Sequence, residues 1–171
     1  MKKYLLISLV VLAVSCLMFG CDSKKEFDSV DELVAKASET VQQLTPAELN
    51  TKLDEGEMFL IIDVREHSEY IYGYIPGAVN ISRGVLEFKI GNEEYWDSQF
   101  LYLPEKNEEI IIYCKKGKRG VLAVNSLKSL GFTNVKNLEG GWKAWELAYP
   151  LIYEKNLEEA AHGPVEEEGG C

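Results

Sequence analysis

The sequence is short of the residues that hold metals and staple small domains. Two histidines, His67 and His162, and four cysteines, Cys16, Cys21, Cys114 and Cys171, occur in 171 residues. Their spacings match no zinc-ligand pattern, so neither a metal nor another cofactor is expected. Two of the four cysteines lie in or beside an apolar N-terminal stretch, which argues against a disulfide framework. Cations are outnumbered: 18 Lys and Arg face 28 Asp and Glu, and removing Lys2 and Lys3 with residues 1–20 takes the net charge from −10 to −12. Such an acidic chain is a poor partner for nucleic acid. No internal repeat is visible. What is present is an ordinary globular composition, 46% hydrophobic and 11% aromatic, long enough for one domain plus appendages.

The N-terminal stretch has a secretory pattern. Met1-Lys2-Lys3 is cationic, Tyr4 to Phe19 is apolar apart from Ser8, Ser15 and Cys16, and Gly20-Cys21 precedes polar Asp22-Ser23-Lys24-Lys25. It resembles the bacterial lipoprotein signal, although Met18 and Phe19 are bulkier than that pattern prefers. The resemblance implies that residues 1–20 are removed and that Cys21 is lipidated. The chain would then sit outside the cytoplasm on a membrane, as a periplasmic or cell-surface lipoprotein. Cleavage before Cys16 and an uncleaved signal anchor stay open, the apolar run being somewhat short for a span. Residues 21–40 read as a partly helical spacer, and 154–171 as an acidic, disordered tail.

Between them, from 41 to 153, strands alternate with helices, which argues for an α/β fold with a parallel sheet. Val30, Leu33, Val34, Ala37, Val41 and Leu44 fall at helical spacing, though Val41 to Leu44 equally suit a first strand. Thr45-Pro46-Ala47-Glu48 carries an N-cap, a proline at the first helical position and a glutamate three residues after the cap. That helix points Leu49 and Leu53 inward and ends near Gly56. Met58 to Ile62 suits a strand buried on both faces and leads into Asp63-Val64-Arg65-Glu66. His67 to Gly73 reads as a short helix and Val79 to Ile81 as a short strand. Arg83 to Ile90 is helical with Val85, Leu86 and Ile90 inward. Gly91 to Leu103 is irregular, and its aromatic residues suit packing better than binding. Ile110 to Tyr113, Asn134 to Leu138 and a last helix carrying Trp142 and Trp145 complete the pattern.

The candidate site is Cys114-Lys115-Lys116-Gly117-Lys118-Arg119. It joins the end of a β-branched strand to the start of a helix, Val121 to Leu130. Functional residues of open parallel sheets lie beyond the carboxyl ends of strands, where Asp63, Arg65, Glu66 and Cys114 all fall. Unpaired N–H groups at the helix start, its dipole and four cations all favour a thiolate, the nucleophilic form of cysteine. Gly117 lets the backbone curl around the sulfur.

Four segments in order, LIIDVRE (60–66), EYIYGYIPGA (69–78), IIYCKKGKR (111–119) and LGFTNVKNLEGGWKAW (130–145), resemble the rhodanese family of sulfurtransferases. The resemblance implies a single rhodanese-like domain whose central parallel sheet carries helices on both faces. It implies that Cys114 takes a sulfane sulfur from a small anionic donor such as thiosulfate, becoming a persulfide. The sulfur then goes to cyanide, a thiol or a protein acceptor. Lys115, Lys116, Gly117, Lys118 and Arg119 would hold the donor. Asp63 and Arg65 would brace the loop, with substrate contact by Arg65 or Arg83 a lesser alternative. Tyr74 stands where the family often has histidine. Three other readings stay open. One is a sulfur carrier or docking module without turnover. Another is a cysteine phosphatase, which wants its arginine one position beyond Arg119. The third is resolution of the persulfide by Cys171 on a flexible tail.

Overall fold

The computed structural model describes residues 26–162. The chain divides into two compact units, Met1–Val30 and Asp31–Cys171. Of the first, residues 26–30 are described, and they lead through a bend into the first residue of a helix. The expected signal segment, Cys21 and Cys171 lie outside the described residues.

In the second unit, Gln42–Leu44 (β1), Leu60–Asp63 (β2), Val79–Asn80 (β3), Ile110–Tyr113 (β4) and Val135–Leu138 (β5) form one sheet. The order is β1-β5-β4-β2-β3, every pair parallel. Val41 to Leu44, left open between helix and strand, contributes the edge strand β1. The central strand β4 pairs on both sides, Ile111 lying opposite Ile61 and Lys136. Its four residues are fully buried and alternate between faces. Ile110 and Ile112 join one core with Val124, Leu127 and Trp96, while Ile111 and Tyr113 join another with Leu49, Trp142 and Trp145.

Those two cores are covered by different helices. Val30–Ser38 (α1), Leu86–Lys89 (α4), Glu93–Ser98 (α5) and Lys118–Ser129 (α6) cover the first. Pro46–Asp54 (α2) and Gly141–Ala148 (α7) cover the second. The four-residue helix His67–Tyr70 (α3) follows β2. The capping box at α2 forms as its sequence suggests: Glu48 N donates to Thr45 Oγ1, and Thr45 N donates to Glu48 Oε2 at 2.8 Å. Within the expected spacer, α1 buries Val34 and Ala37 in the core.

Four local expectations need correction. Met58 is 94% exposed, because β2 begins only at Leu60. Val85 is 40% exposed although Leu86 and Ile90 are buried. A 3-10 turn over Arg83–Val85 precedes α4 and advances the chain by a different angle per residue. The stretch read as irregular contains α5, capped by Asn92 Oδ1, which accepts from Tyr95 N at 3.0 Å. Its Trp96 is fully buried and donates Nε1–H to Ile90 O at 3.0 Å. Finally, Leu157–His162, expected within the disordered tail, forms a further helix, α8. The segment before it is anchored: Tyr74 and Glu154 exchange backbone hydrogen bonds of 2.8 and 2.9 Å, and Asn156 N donates to Ile71 O. Among the described residues no helix is long and apolar enough to cross a membrane.

Candidate active site

Cys114 follows β4 directly and is the only cysteine among the described residues; it is 2% exposed. The chain then turns through Lys115, Lys116 and Gly117, whose φ of +88° suits glycine, and enters α6 at Lys118. Among the described residues, no acceptor takes the backbone N–H groups of Lys115 to Gly120. Six consecutive donors therefore remain open in the loop that carries the thiol, an anion-binding arrangement of the kind helix starts provide.

The loop's carbonyls are held from below. Trp142 N donates to Cys114 O at 2.8 Å and Lys143 N to Lys115 O at 3.0 Å. The first turn of α7 thus satisfies its own orphan donors on the loop. Gly141 makes that approach possible. A Cβ there would lie 2.1 Å from Cys114 O and 2.9 Å from Gly117 N.

Asp63 and Arg65 supply a second support. Both are buried, at 0% and 3% exposure. Arg65 Nε reaches both Asp63 oxygens at 3.0 and 2.8 Å, and Nη2 donates to Asp63 Oδ2 at 2.6 Å and Gly73 O at 2.7 Å. The guanidinium lies 4.7 Å from the Trp142 ring and 5.6 Å from Tyr113. A continuous set of contacts thus runs from Asp63 through Arg65 and Trp142 to the Cys114 carbonyl. Arg83 is turned to other work: it bonds Glu87 at 2.8 and 2.9 Å and Ser126 Oγ at 2.8 Å.

Three of the four cations of the loop are ion-paired in the structure. Arg119 Nη2 donates to Glu69 Oε2 at 3.1 Å and Nη1 lies 3.8 Å from Glu66. Lys115 Nζ lies 3.4 Å from Glu69 Oε1, and Lys118 Nζ lies 2.6 Å from Asp31. Of the four, Lys116 alone has no ion pair among the described residues. Burial pushes the Glu69 carboxyl up, but Arg119 and Lys115 together hold it below its ordinary value. Arg119 is pushed the other way. Burial pulls it down, yet its bond to Glu69 and the charges of Cys114 and Glu69 raise it.

Sequence reasoning missed several of these residues. Glu69, Trp142 and Gly141 lie inside the segments that carry the family resemblance, so their positions are in view but their partners are not; Glu66 is placed beside the site by its position after β2, without its partner Arg119. Asn137 is a further case. It is 2% exposed, donates Nδ2 to Gln43 Oε1 at 2.7 Å, and leaves Oδ1 without a partner among the described residues. That oxygen fills the place of a side chain at Gly120, where a Cβ would meet it at 2.1 Å. A cavity of about 260 Å³ flanks the loop, walled by Lys116, Gly117, Lys118, Gln43, Asn137 and, from α1, Val34.

Comparison with known proteins gives the same picture. Residues 45–148 match the family model for the Rhodanese-like domain. The human Thiosulfate:glutathione sulfurtransferase is 37% identical over 102 residues, 57% of this chain and 87% of that protein. The solved human single-domain sulfurtransferase superposes with a TM-score of 0.58 at 30% identity, covering 64% of this chain and 97% of that one. A Rhodopseudomonas palustris structure described as a possible tyrosine phosphatase superposes at 0.60 and 26% identity, covering 84% and 98%. In several relatives the matched region is well under two thirds of the protein, as little as 24% of a Mycobacterium tuberculosis one. The strand, the cysteine loop and its supports thus coincide with the segment that the family match covers, and the chain belongs to the Rhodanese-like domain family.

Proposed function

We propose that the protein is a sulfurtransferase that carries sulfane sulfur as a persulfide on Cys114. In the first half-reaction the Cys114 thiolate attacks the outer sulfur of a donor such as thiosulfate. The S–S bond breaks, sulfite leaves with the bonding pair, and three negative charges stand on each side. In the second, a thiol, cyanide or a protein nucleophile takes the outer sulfur and restores the thiolate. The observation that carries this reading is the row of six open N–H groups beginning one residue after the thiol. Such donors favour an anionic sulfur in both states without any proton relay. Lys116, without an ion pair among the described residues, is the residue best placed to meet an incoming anion.

The test is sulfur loading read by intact mass. Thiosulfate-treated wild type gains one sulfur atom, and Cys114→Ser does not. Thiosulfate:cyanide transfer disappears in the same variant. Full activity in Cys114→Ser would mean that another group accepts the sulfur.

A carrier without turnover of its own is the second reading, favoured by the 2% exposure of Cys114 and by the pairing of three loop cations. It predicts persulfide retention over many minutes in the presence of cyanide. Phosphatase chemistry is less well supported. The position where that loop wants arginine is Gly120, and Asn137 Oδ1 fills the space of any side chain there. For location, we propose anchoring through a lipidated Cys21, on the N-terminal sequence pattern alone. Detection of an intact Met1 in membrane-extracted protein excludes it.

A further inference from the structure

Glu69 places both carboxylate oxygens on cations of the cysteine loop, Oε2 at 3.1 Å from Arg119 and Oε1 at 3.4 Å from Lys115. Glu66 adds a second carboxylate 3.8 Å from Arg119, and Asp31 a third, 2.6 Å from Lys118. Among the described residues three carboxylates thus answer four cations, and a Cys114 thiolate cancels the remainder. An incoming anion meets open N–H groups and Lys116, but little net positive charge.

We propose that Glu69 is a specificity-determining residue that sets the charge of the sulfur donor, turning the loop away from dianions and toward monoanionic sulfane-sulfur donors. This rests on the sulfurtransfer reading above and deepens it. The physical reason is simple. A fixed negative charge acts on a dianion twice as strongly as on a monoanion of similar shape, and the neighbouring cations that would offset it are already engaged. Glu69 is 26% exposed, so its field is only partly screened by water. Against the opposing effect of burial, the Arg119 and Lys115 contacts also hold its carboxyl below its ordinary value.

Thiosulfate and an arylthiosulfonate make the fitting pair of probes, because the chemistry is shared and the charge differs by one. With the thiosulfonate, the Cys114 thiolate attacks the terminal sulfur and the S–S bond breaks. A sulfinate leaves with the electron pair, no proton moves, and two negative charges stand on each side.

The experiment measures kcat/KM for thiosulfate and for benzenethiosulfonate, with cyanide as acceptor, on the full chain. Wild type, Glu69→Gln and Glu69→Asp are compared at low and high salt. The expected result is a thiosulfate-to-thiosulfonate ratio about three- to tenfold higher in Glu69→Gln. Glu69→Asp keeps the wild-type ratio, and added salt narrows the gap. An unchanged ratio in Glu69→Gln overturns the proposal. So does an equal fall with both donors, which would make Glu69 a mere support for Arg119. Should circular dichroism show Glu69→Gln unfolded, Glu66→Gln reads the same ratio with a smaller shift, and no shift there overturns the proposal. A wild type that loads from neither donor refutes sulfur transfer itself, a result distinct from an active enzyme whose ratio does not move.

Discussion

Two ion-pair systems flank the same loop and do different jobs. The Asp63–Arg65 pair is buried at 0% and 3% side-chain exposure, its hydrogen bonds shared with a backbone carbonyl and its cation stacked on Trp142. The Glu69–Arg119–Lys115 cluster is 26%, 38% and 51% exposed, with longer contacts. A buried pair cannot exchange its partner for water, so it fixes geometry, and losing one member strands the other. An exposed pair can, so it contributes little stability, yet it sets the charge that an approaching ligand feels. The loop is shaped by the first system and tuned by the second.

The sharpest way to break this contrast is Arg65→Ala. It leaves Asp63 buried without its cation and removes the stack on Trp142. A loss of about 3–5 kcal/mol is expected from urea unfolding, with sulfur loading lost alongside. A loss below 1 kcal/mol would show that water reaches Asp63 and that the two systems are alike. Gly141→Ala attacks the same support through the backbone. Positive φ, +60°, and a 2.1 Å clash with Cys114 O should cost at least about 1–3 kcal/mol and slow loading more than Gly131→Ala, whose surroundings are open. Glu69→Gln then sharpens the contrast from the other side: stability changes by less than about 1 kcal/mol while donor choice moves.

The pH dependence follows with its sign. Glu69 is held below its ordinary value in the folded chain, so its contribution is present above the ordinary carboxylate range and is lost as pH falls through the lower, folded value. The difference in donor ratio between wild type and Glu69→Gln should therefore be flat between about pH 5 and pH 8 and shrink only in more acidic solution. The smallest effect belongs to Lys118→Ala, whose pair with Asp31 is 61% and 77% exposed; thermal unfolding should barely move.

What the sequence made legible were features written in neighbouring residues. Thr45, Pro46 and Glu48 lie within four positions and announce a capping box. Ile110 to Tyr113 followed by Cys114, Gly117 and Arg119 announces a strand, a turn and a helix. The Asp63–Arg65 brace was also within reach, two residues apart. The missing parts depend on distance along the chain or on weak local signals. Glu69 and Arg119 are 50 residues apart, and Lys118 and Asp31 are 87 apart. Only the fold brings them together, and a cationic run looks the same whether its charges are free or paired. The helix Glu93–Ser98 is too short for a clear period, and the aromatic residues in and just after it divide between a buried Trp96 and a Phe100 that is 96% exposed. The helix after Asn156 is acidic and follows the Tyr74–Glu154 bridge, and its Glu159 meets His67 92 residues away, contacts that no local pattern announces.

The account depends on sulfur residing on Cys114, and the direct measurement is mass spectrometry of the donor-treated full chain with peptide mapping. The expected result is one added sulfur atom on the peptide holding Cys114, present in wild type and removed by cyanide. An unmodified Cys114 peptide after treatment with both thiosulfate and benzenethiosulfonate, in protein shown to be folded, would contradict it.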